Sequence, residues 1–228
     1  MNKENNKSGN ILIDKPAGIT SFSVIAKLRK ITGIKKIGHA GTLDPFATGL
    51  LIVAIGREAT REIDKFVKQN KVYEAELKLG EVSSTMDPEG EIKKVNDNIP
   101  SEDEVETIVK TFKGKQEQIP PMHSAIKING QKLYNLARKG IEIERKPREI
   151  EIFDIEILDY NYPSLKIRTH VSSGTYIRSL VNDIGEKLET GAYCQNLRRT
   201  RIGDFDIKDA VNLDDLSGDS WLQFVIPG

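Results

Sequence analysis

The sequence predicts an α+β fold with a mostly antiparallel mixed sheet and flanking helices, and three observations predict it. Segments of strict two-residue alternation, such as "VYEAELKLG", occur beside segments whose apolar residues recur every three or four positions. The two kinds follow one another irregularly, not as a regular βαβ series. Their joins carry hairpin-type turn residues, Asn129-Gly130 above all, which suit antiparallel neighbours.

In chain order, "ILID" reads as a short strand. Thr20 or Ser21 can cap a helix that buries Val24, Ile25, Leu28 and Ile31 and stops at Gly33. "GHAGTLDP" holds small residues and a proline and cannot continue a helix, so it is a loop. The uninterrupted apolar run Leu50 to Ile55, bounded by Gly49 and Gly56, is then a buried strand. "REATREIDKFVKQ" places Ala59, Ile63, Phe66 and Val67 at helical spacing. In "VYEAELKLG", Tyr73, Ala75, Leu77 and Leu79 share one face, so Tyr73 points the way the core points. "SSTMDPEGE" is a turn-rich loop, and Ser101 with Glu104 forms a capping box for a helix burying Val105, Ile108, Val109 and Phe112. After the Asn129-Gly130 turn a short helix ends at Gly140. "REIEIFDIEILDY" and "LKIRTHV" are strands. The second leads through Ser172, Ser173 and Gly174 into a helix that buries Ile177, Leu180, Val181, Ile184 and Leu188.

Composition narrows the function class. Among 228 residues, 38% are hydrophobic and 30% charged, ordinary values for a globular protein with a sizeable core. No run approaches the roughly 18 apolar residues that span a bilayer. The polar start "MNKENNKSGN" lacks the apolar segment of a signal peptide, so the expected location is the cytoplasm. The single Cys194 excludes an internal disulfide and reads as a small buried hydrophobe. Lysine plus arginine and aspartate plus glutamate both number 34, so global charge does not argue for a nucleic-acid partner. Basic clusters nevertheless occur at Lys27 to Lys36, Arg138 to Arg148 and Asn196 to Arg201. Each can be an ordinary solvated surface, or together they can form a phosphate-binding face.

Phosphate-loop, dinucleotide and zinc-protease motifs are missing, as is the glycine-flanked serine of a nucleophile elbow. His39, His123 and His170 lie far apart. That leaves carboxylate chemistry, and Asp44 sits on a loop tied directly to the buried strand, where reactive groups tend to be displayed. Asp before Pro is equally a turn opener, and "LDP" alone leaves both readings open.

Seven segments, taken together, carry a resemblance: "ILIDKPAGITS", "GHAGTLDPFATGLL", "VYEAELKLG", "TMDPEGE", "IPPMHSAIKINGQKLYNLARKG", "SSGTYIRSLVNDIGEKL" and "NLRRTRIG". In number and order, from about residue 11 to residue 203, they resemble the TruB family of pseudouridine synthases. These isomerases convert the T-loop uridine at position 55 of tRNA to pseudouridine. The resemblance implies the pseudouridine synthase fold with a central RNA-binding cleft. It implies that Asp44 is the catalytic carboxylate, attacking as the N-glycosidic bond breaks, a task an ionised carboxylate suits. Arg178 is implied to pair with it, and Tyr73 to stack on the target base near the proton lost from C5. His39, Leu197, Lys15 and Asp87 are implied as substrate-binding or supporting residues: His39 against the splayed tRNA loop, Leu197 in the uracil pocket, Lys15 near the active site, Asp87 in RNA or loop positioning. Each has a plainer reading, a core tyrosine for Tyr73 and a structural ion pair for Arg178.

The implied reaction is an isomerisation, so no cofactor or metal is called for. The expected partner is the T-arm of tRNA, with no membrane and no protein partner, the chain acting as a monomer. Two departures stand out. The family commonly has tyrosine where His123 stands, and members usually carry a further RNA-binding domain of the PUA type, whereas only about 25 residues follow "RIGDF" here, too few for a separate core. The expected division is therefore a catalytic domain over 8–210 and a short tail over 211–228. Competing readings are a dyskerin-like, guide-RNA-dependent synthase, against which "TMDPEGE" argues, and a tRNA-binding or folding protein without turnover. A glycoside hydrolase would need a second, suitably placed carboxylate.

Overall fold

The structure is a computed structural model describing residues 8–124, 127–128, 131–133, 140–141 and 143–226. The strands are β1 (Gly9–Lys15), β2 (Ile37–His39), β3 (Thr48–Ile55), β4 (Lys71–Leu79), β5 (Glu81–Ser83), β6 (Ile92–Lys94), β7 (Gly114–Gln118), β8 (Lys127–Ile128), β9 (Gln131–Lys132), β10 (Arg148–Asn161), β11 (Ser164–Val171), β12 (Ala192–Ile202), β13 (Phe205–Asp206) and β14 (Val211–Asn212). The α-helices are α1 (Ser21–Thr32), α2 (Gly56–Arg61), α3 (Asp64–Val67), α4 (Glu102–Lys110) and α5 (Ile177–Lys187). This is the expected mixed α+β class with mostly antiparallel pairing. The chain forms two compact units, Met1–Tyr73 with Leu197–Gly228, and Glu74–Asn196.

In the first unit β3 pairs antiparallel with β1, from Gly9 opposite Ile55 to Lys15 opposite Gly49. On its other edge β3 meets β2 antiparallel and β12 parallel, with Arg199 opposite Gly49. The apolar run is unbroken because β3 is covered on both faces. Leu51, Val53 and Ile55 pack with Ile11, Ile13 and Val24, Ile25 and Leu28 of α1. Leu50 and Ile52 pack with Leu12 and Ile202 on the opposite side, joined by Ile63, Phe66 and Val67. α1 starts at Thr20, whose hydroxyl accepts from Ser23 N at 3.0 Å, and ends at Gly33 with φ 71°.

Two features of this unit differ from expectation or add to it. The helix expected over "REATREIDKFVKQ" is two short ones, α2 and α3, broken at Glu62 and Ile63, and Ile63, Phe66 and Val67 pack on one cluster. Residues after 211 also contribute to the core: Leu213, Leu216 and Trp221, the last 1% exposed, pack against Ile11, Ile13 and α1.

In the second unit the strand order is β4-β11-β10-β7, with β10 antiparallel to both neighbours. α4 begins in the expected capping box, Ser101 Oγ accepting from Glu104 N while the Glu104 carboxylate accepts from Ser101 N. β5 pairs with β6, Glu81 opposite Lys94, and this hairpin closes the "SSTMDPEGE" loop. β8 pairs with β9, while the Asn129-Gly130 turn and the short helix expected before Gly140 lie outside the described residues. α5 buries Ile177, Leu180, Val181 and Ile184 as expected, and also Arg178 and Ser179. Among the described residues no helix is long and apolar enough to cross a membrane.

Candidate active site

In the first unit the loop carrying Asp44 is held by its main chain. Ser21 Oγ donates to Leu43 O at 3.1 Å and accepts from Leu43 N at 2.9 Å. Lys15, fully buried, donates to Pro16 O and Ile19 O at 2.8 Å and to Pro45 O at 3.3 Å. Gly18 N donates to Pro45 O at 2.9 Å, and Ala47 N to Asp44 O at 3.2 Å. Arg199, 1% exposed, donates through Nη2 to Gly41 O at 3.1 Å and through Nε to Leu50 O at 2.7 Å. One guanidinium thus ties the start of the loop to the strand that leaves it. The close approach of β12 depends on Gly49, whose φ is 105° and whose added Cβ would lie 2.3 Å from Arg199 O. Such bracing fixes the backbone that carries the Asp44 carboxylate. Asp44 itself is half-buried.

His39 ends β2 just before this loop and is half-buried; its Nδ1 has no hydrogen-bond partner among the described residues. Burial, then the Arg199 charge, lowers its pKa below the ordinary imidazole value, against a smaller raising effect of the Gly41 backbone. Lys71 and Tyr73 are buried on one face of β4. Lys71 donates to Val67 O at 2.8 Å and Gln69 O at 2.5 Å. Burial, then Arg199, brings its pKa down to about 8. Leu197 is buried on β12.

The second unit brings Arg178 and Asp87 together. Arg178 Nη1 donates to Asp87 Oδ2 at 2.7 Å and Thr85 O at 2.9 Å, and Nη2 to His123 O at 2.7 Å. Asp87 in turn accepts from Thr85 Oγ1, and from Glu89 N at 3.0 Å. Both side chains are almost wholly buried, at 4% and 3% exposure. Arg178 thereby fixes the "SSTMDPEGE" loop and the backbone at His123, a contact that does not depend on the side chain at 123.

The basic clusters separate by environment. In "NLRRTR", Arg198 pairs with Asp14 through two hydrogen bonds, Arg199 is buried and Arg201 pairs with Asp206. That segment therefore braces the fold and offers little free charge. Between Lys27 and Lys36, by contrast, only Lys27 has an acidic partner among the described residues, Asp214. Sequence reasoning singled out neither Lys71 nor Arg199 as a supporting residue. A signal existed for Lys71, since it shares the alternating core face with Tyr73.

Comparison with known proteins bears on the chain as a whole. Residues 29–177 match the model of the TruB family pseudouridylate synthase N-terminal domain, and 178–223 that of the tRNA pseudouridylate synthase B C-terminal domain. The tRNA pseudouridine synthase B of Clostridium tetani is 48% identical over 221 residues, 96% of this chain and 76% of that protein. That of Desulfotalea psychrophila is 47% identical over 232 residues, covering 99% and 94%. Among solved structures, one of a Cbf5-Nop10-Gar1 complex aligns at TM-score 0.72 and 34% identity, over 91% of this chain and 53% of that one. An H/ACA RNP bound to a substrate RNA containing 2'-deoxyuridine aligns at TM-score 0.71 and 28% identity, over 96% and 59%. The chain thus spans just over half the length of those two solved chains.

Proposed function

This chain belongs to the TruB family of pseudouridylate synthases, and on that premise we propose that it is a tRNA pseudouridine synthase, an isomerase acting on a uridine in the T-loop. The observation that carries the reading is the match to tRNA pseudouridine synthases over 99% of this chain and 94% of such a relative. The likeness to the Cbf5 complex, at 34% identity over about half of that chain, supports a guide-RNA-dependent reading less well.

In the proposed reaction the uridine is flipped out of its loop, at a cost of a few kcal/mol that stacking and backbone contacts offset. Tyr73 stacks on the base. Asp44 acts as the carboxylate while the N1–C1' bond breaks, the base turns, and a C5–C1' bond forms. The proton leaving C5 is balanced by one gained at N1, so product and substrate are isomers and no external reagent enters. Arg178 supplies the positive charge that pairs with Asp44, while Asp87 positions Arg178. Lys15 holds the Asp44 loop, His39 contacts the splayed RNA loop and Leu197 lines the base pocket. The bracing of the Asp44 loop by Ser21, Lys15 and Arg199 supports this, because nucleophilic attack at a sugar carbon needs a carboxylate held in register. In this reading residues 8–210 hold the chemistry.

The test is to incubate the protein with an unmodified tRNA transcript and map pseudouridine. Product at the T-loop uridine is expected from the wild type. Asp44→Asn is expected to make none while binding tRNA within about 3-fold of wild type, because affinity comes mainly from phosphate and stacking contacts. Turnover by Asp44→Asn would overturn the assignment.

A further inference from the structure

From the outward face of α1 we infer an RNA-docking surface, in which the Phe22 ring stacks on an unpaired loop base while Arg29, Lys30, Lys35 and Lys36 meet the flanking phosphates. The inference rests on the tRNA-modifying reading above and adds a contact surface that this reading does not contain.

Charge is the first observation. Between Asp14 and Asp44 the chain has no acidic residue, yet it carries Lys27, Arg29, Lys30, Lys35 and Lys36. In a chain of zero formal net charge this is a concentrated excess. Only Lys27 is matched by a carboxylate; Arg29, Lys30, Lys35 and Lys36 are exposed and have no acidic partner among the described residues. The first turn of α1 also lacks an acidic residue, although a solvated helix commonly places one there to complement its dipole. A surface facing a polyanion would lose by carrying one.

The second observation is Phe22, 65% exposed in the first turn of α1, with the Arg29 guanidinium over its ring at 5.8 Å from the centroid. Residues 22, 26 and 29 share one helix face, so an aromatic plane and a cation stand side by side. An aromatic plane flanked by free cations is the combination that holds single-stranded nucleic acid, because every base has a π-face and every linkage a charge.

Place is the third. The residue before Phe22 is Ser21, whose hydroxyl grips both the N–H and C=O of Leu43, next to Asp44. The aromatic residue is therefore one position from the side chain that fixes the proposed catalytic loop. RNA brought to Asp44 passes close to this helix end. A protein partner would also be drawn to an exposed phenylalanine, but the unmatched cations favour a phosphate-bearing one.

The probe is a fluorescein-labelled T-arm hairpin RNA, its Kd read by anisotropy over a salt series, with every variant in the Asp44→Asn background so that turnover cannot intervene. Phe22→Ala is expected to raise Kd about 10-fold, within the range for loss of one stacked base. Phe22→Leu keeps apolar bulk without the ring and is expected to behave like Phe22→Ala, whereas Phe22→Trp keeps wild-type affinity. Arg29→Gln with Lys30→Gln is expected to reduce the salt slope by about 2, one for each phosphate no longer neutralised. Thermal melts should be unchanged, since the side chain is at the surface. Hairpin binding within 2-fold of the parent for Phe22→Ala, or full retention in Phe22→Leu, would overturn the stacking assignment. Failure of wild-type protein to make pseudouridine would instead overturn the activity reading, and the Phe22 dependence of RNA binding is measured separately from it.

Discussion

Replacing Asp87 by Ala tests whether the second unit is organised around its buried ion pair. The substitution takes the carboxylate away from Nη1 of the Arg178 guanidinium, 4% exposed, and leaves its bonds to the backbone carbonyls of Thr85 and His123 in place. It also takes one acceptor from Thr85 Oγ1, which keeps its contacts to Asp87 O and Ser83 Oγ, and one from Glu89 N. Removing one partner of a buried pair commonly costs about 3–5 kcal/mol, and the two donors left without this acceptor place the case at about 4 kcal/mol. Against a typical domain stability of about 5–15 kcal/mol, the variant folds but lies close to its limit. Urea unfolding at pH 7, followed by circular dichroism, measures the loss. Asp87→Leu combined with Arg178→Met removes both charges, and is expected to recover stability to within about 1–2 kcal/mol of wild type. It is expected to stay inactive, because Arg178 is assigned a chemical role. A loss below about 1 kcal/mol in Asp87→Ala would refute the structural argument, and an active double variant would refute the chemical one.

Gly49→Ala would force a methyl group to 2.3 Å from Arg199 O at a positive φ, so its unfolding free energy in urea is expected to fall by more than the roughly 1–3 kcal/mol of backbone strain alone; a near-wild-type value would contradict the close packing of β12 on β3. Arg199→Gln keeps hydrogen-bond donors but removes the charge that depresses both neighbours, so the pKa values of His39 and Lys71 are expected to rise; an NMR titration of His39, one of three histidines, reads the first directly. Burial, then the nearby Glu186 carboxylate, raises Asp183 to about 6, so the folded state binds this proton more tightly than the unfolded chain does. Stability from that source is present below about pH 4 and is lost as pH rises through 6. Asp183→Asn is therefore expected to gain stability relative to wild type between about pH 3.5 and pH 8, by no more than about 1 kcal/mol since the group is partly solvated; no change in the difference between the two pH values would contradict it.

Elements declared by their own residues were legible in the sequence. Thr20 and Gly33 bound α1, and Ser101 with Glu104 opens α4, because caps are local chemistry. The Leu50 to Ile55 run announced a strand buried on both faces. β12 was not legible, since "QNLRRTR" looks like a solvated basic cluster. Its arginines face Asp14, main-chain carbonyls and Asp206, partners remote in sequence or carried by the backbone. The contribution of Trp221 to the core was hidden for a related reason: "WLQFVIPG" is too short to show a period, and only the cluster formed by Ile11, Ile13 and α1 gives it a place. Among the candidate site residues, alternation put Tyr73 on the core face and only the family resemblance gave it and Asp44 a role, whereas the pairing of Arg178 with Asp87 joins residues 91 positions apart.

The supporting cations of the first unit share a mode of burial with an electrostatic consequence. Arg199 is satisfied by Leu50 O and Gly41 O, and Lys71 by Val67 O and Gln69 O. Carbonyl dipoles stabilise a buried cation without cancelling its charge, whereas a carboxylate would cancel it. The mutual effect is visible in the lowered pKa values of Lys71 and His39, both depressed in part by Arg199. Positive potential therefore persists around the loop that carries Asp44, in a chain whose formal net charge is zero. Under the proposed function, the loop receives a phosphate-bearing substrate and gains from that arrangement twice. Arg199 ties Gly41 O of that loop to Leu50 O of β3 and is itself one of these charges, so on the proposed tRNA reading one side chain both braces the Asp44 loop and favours the approach of phosphate.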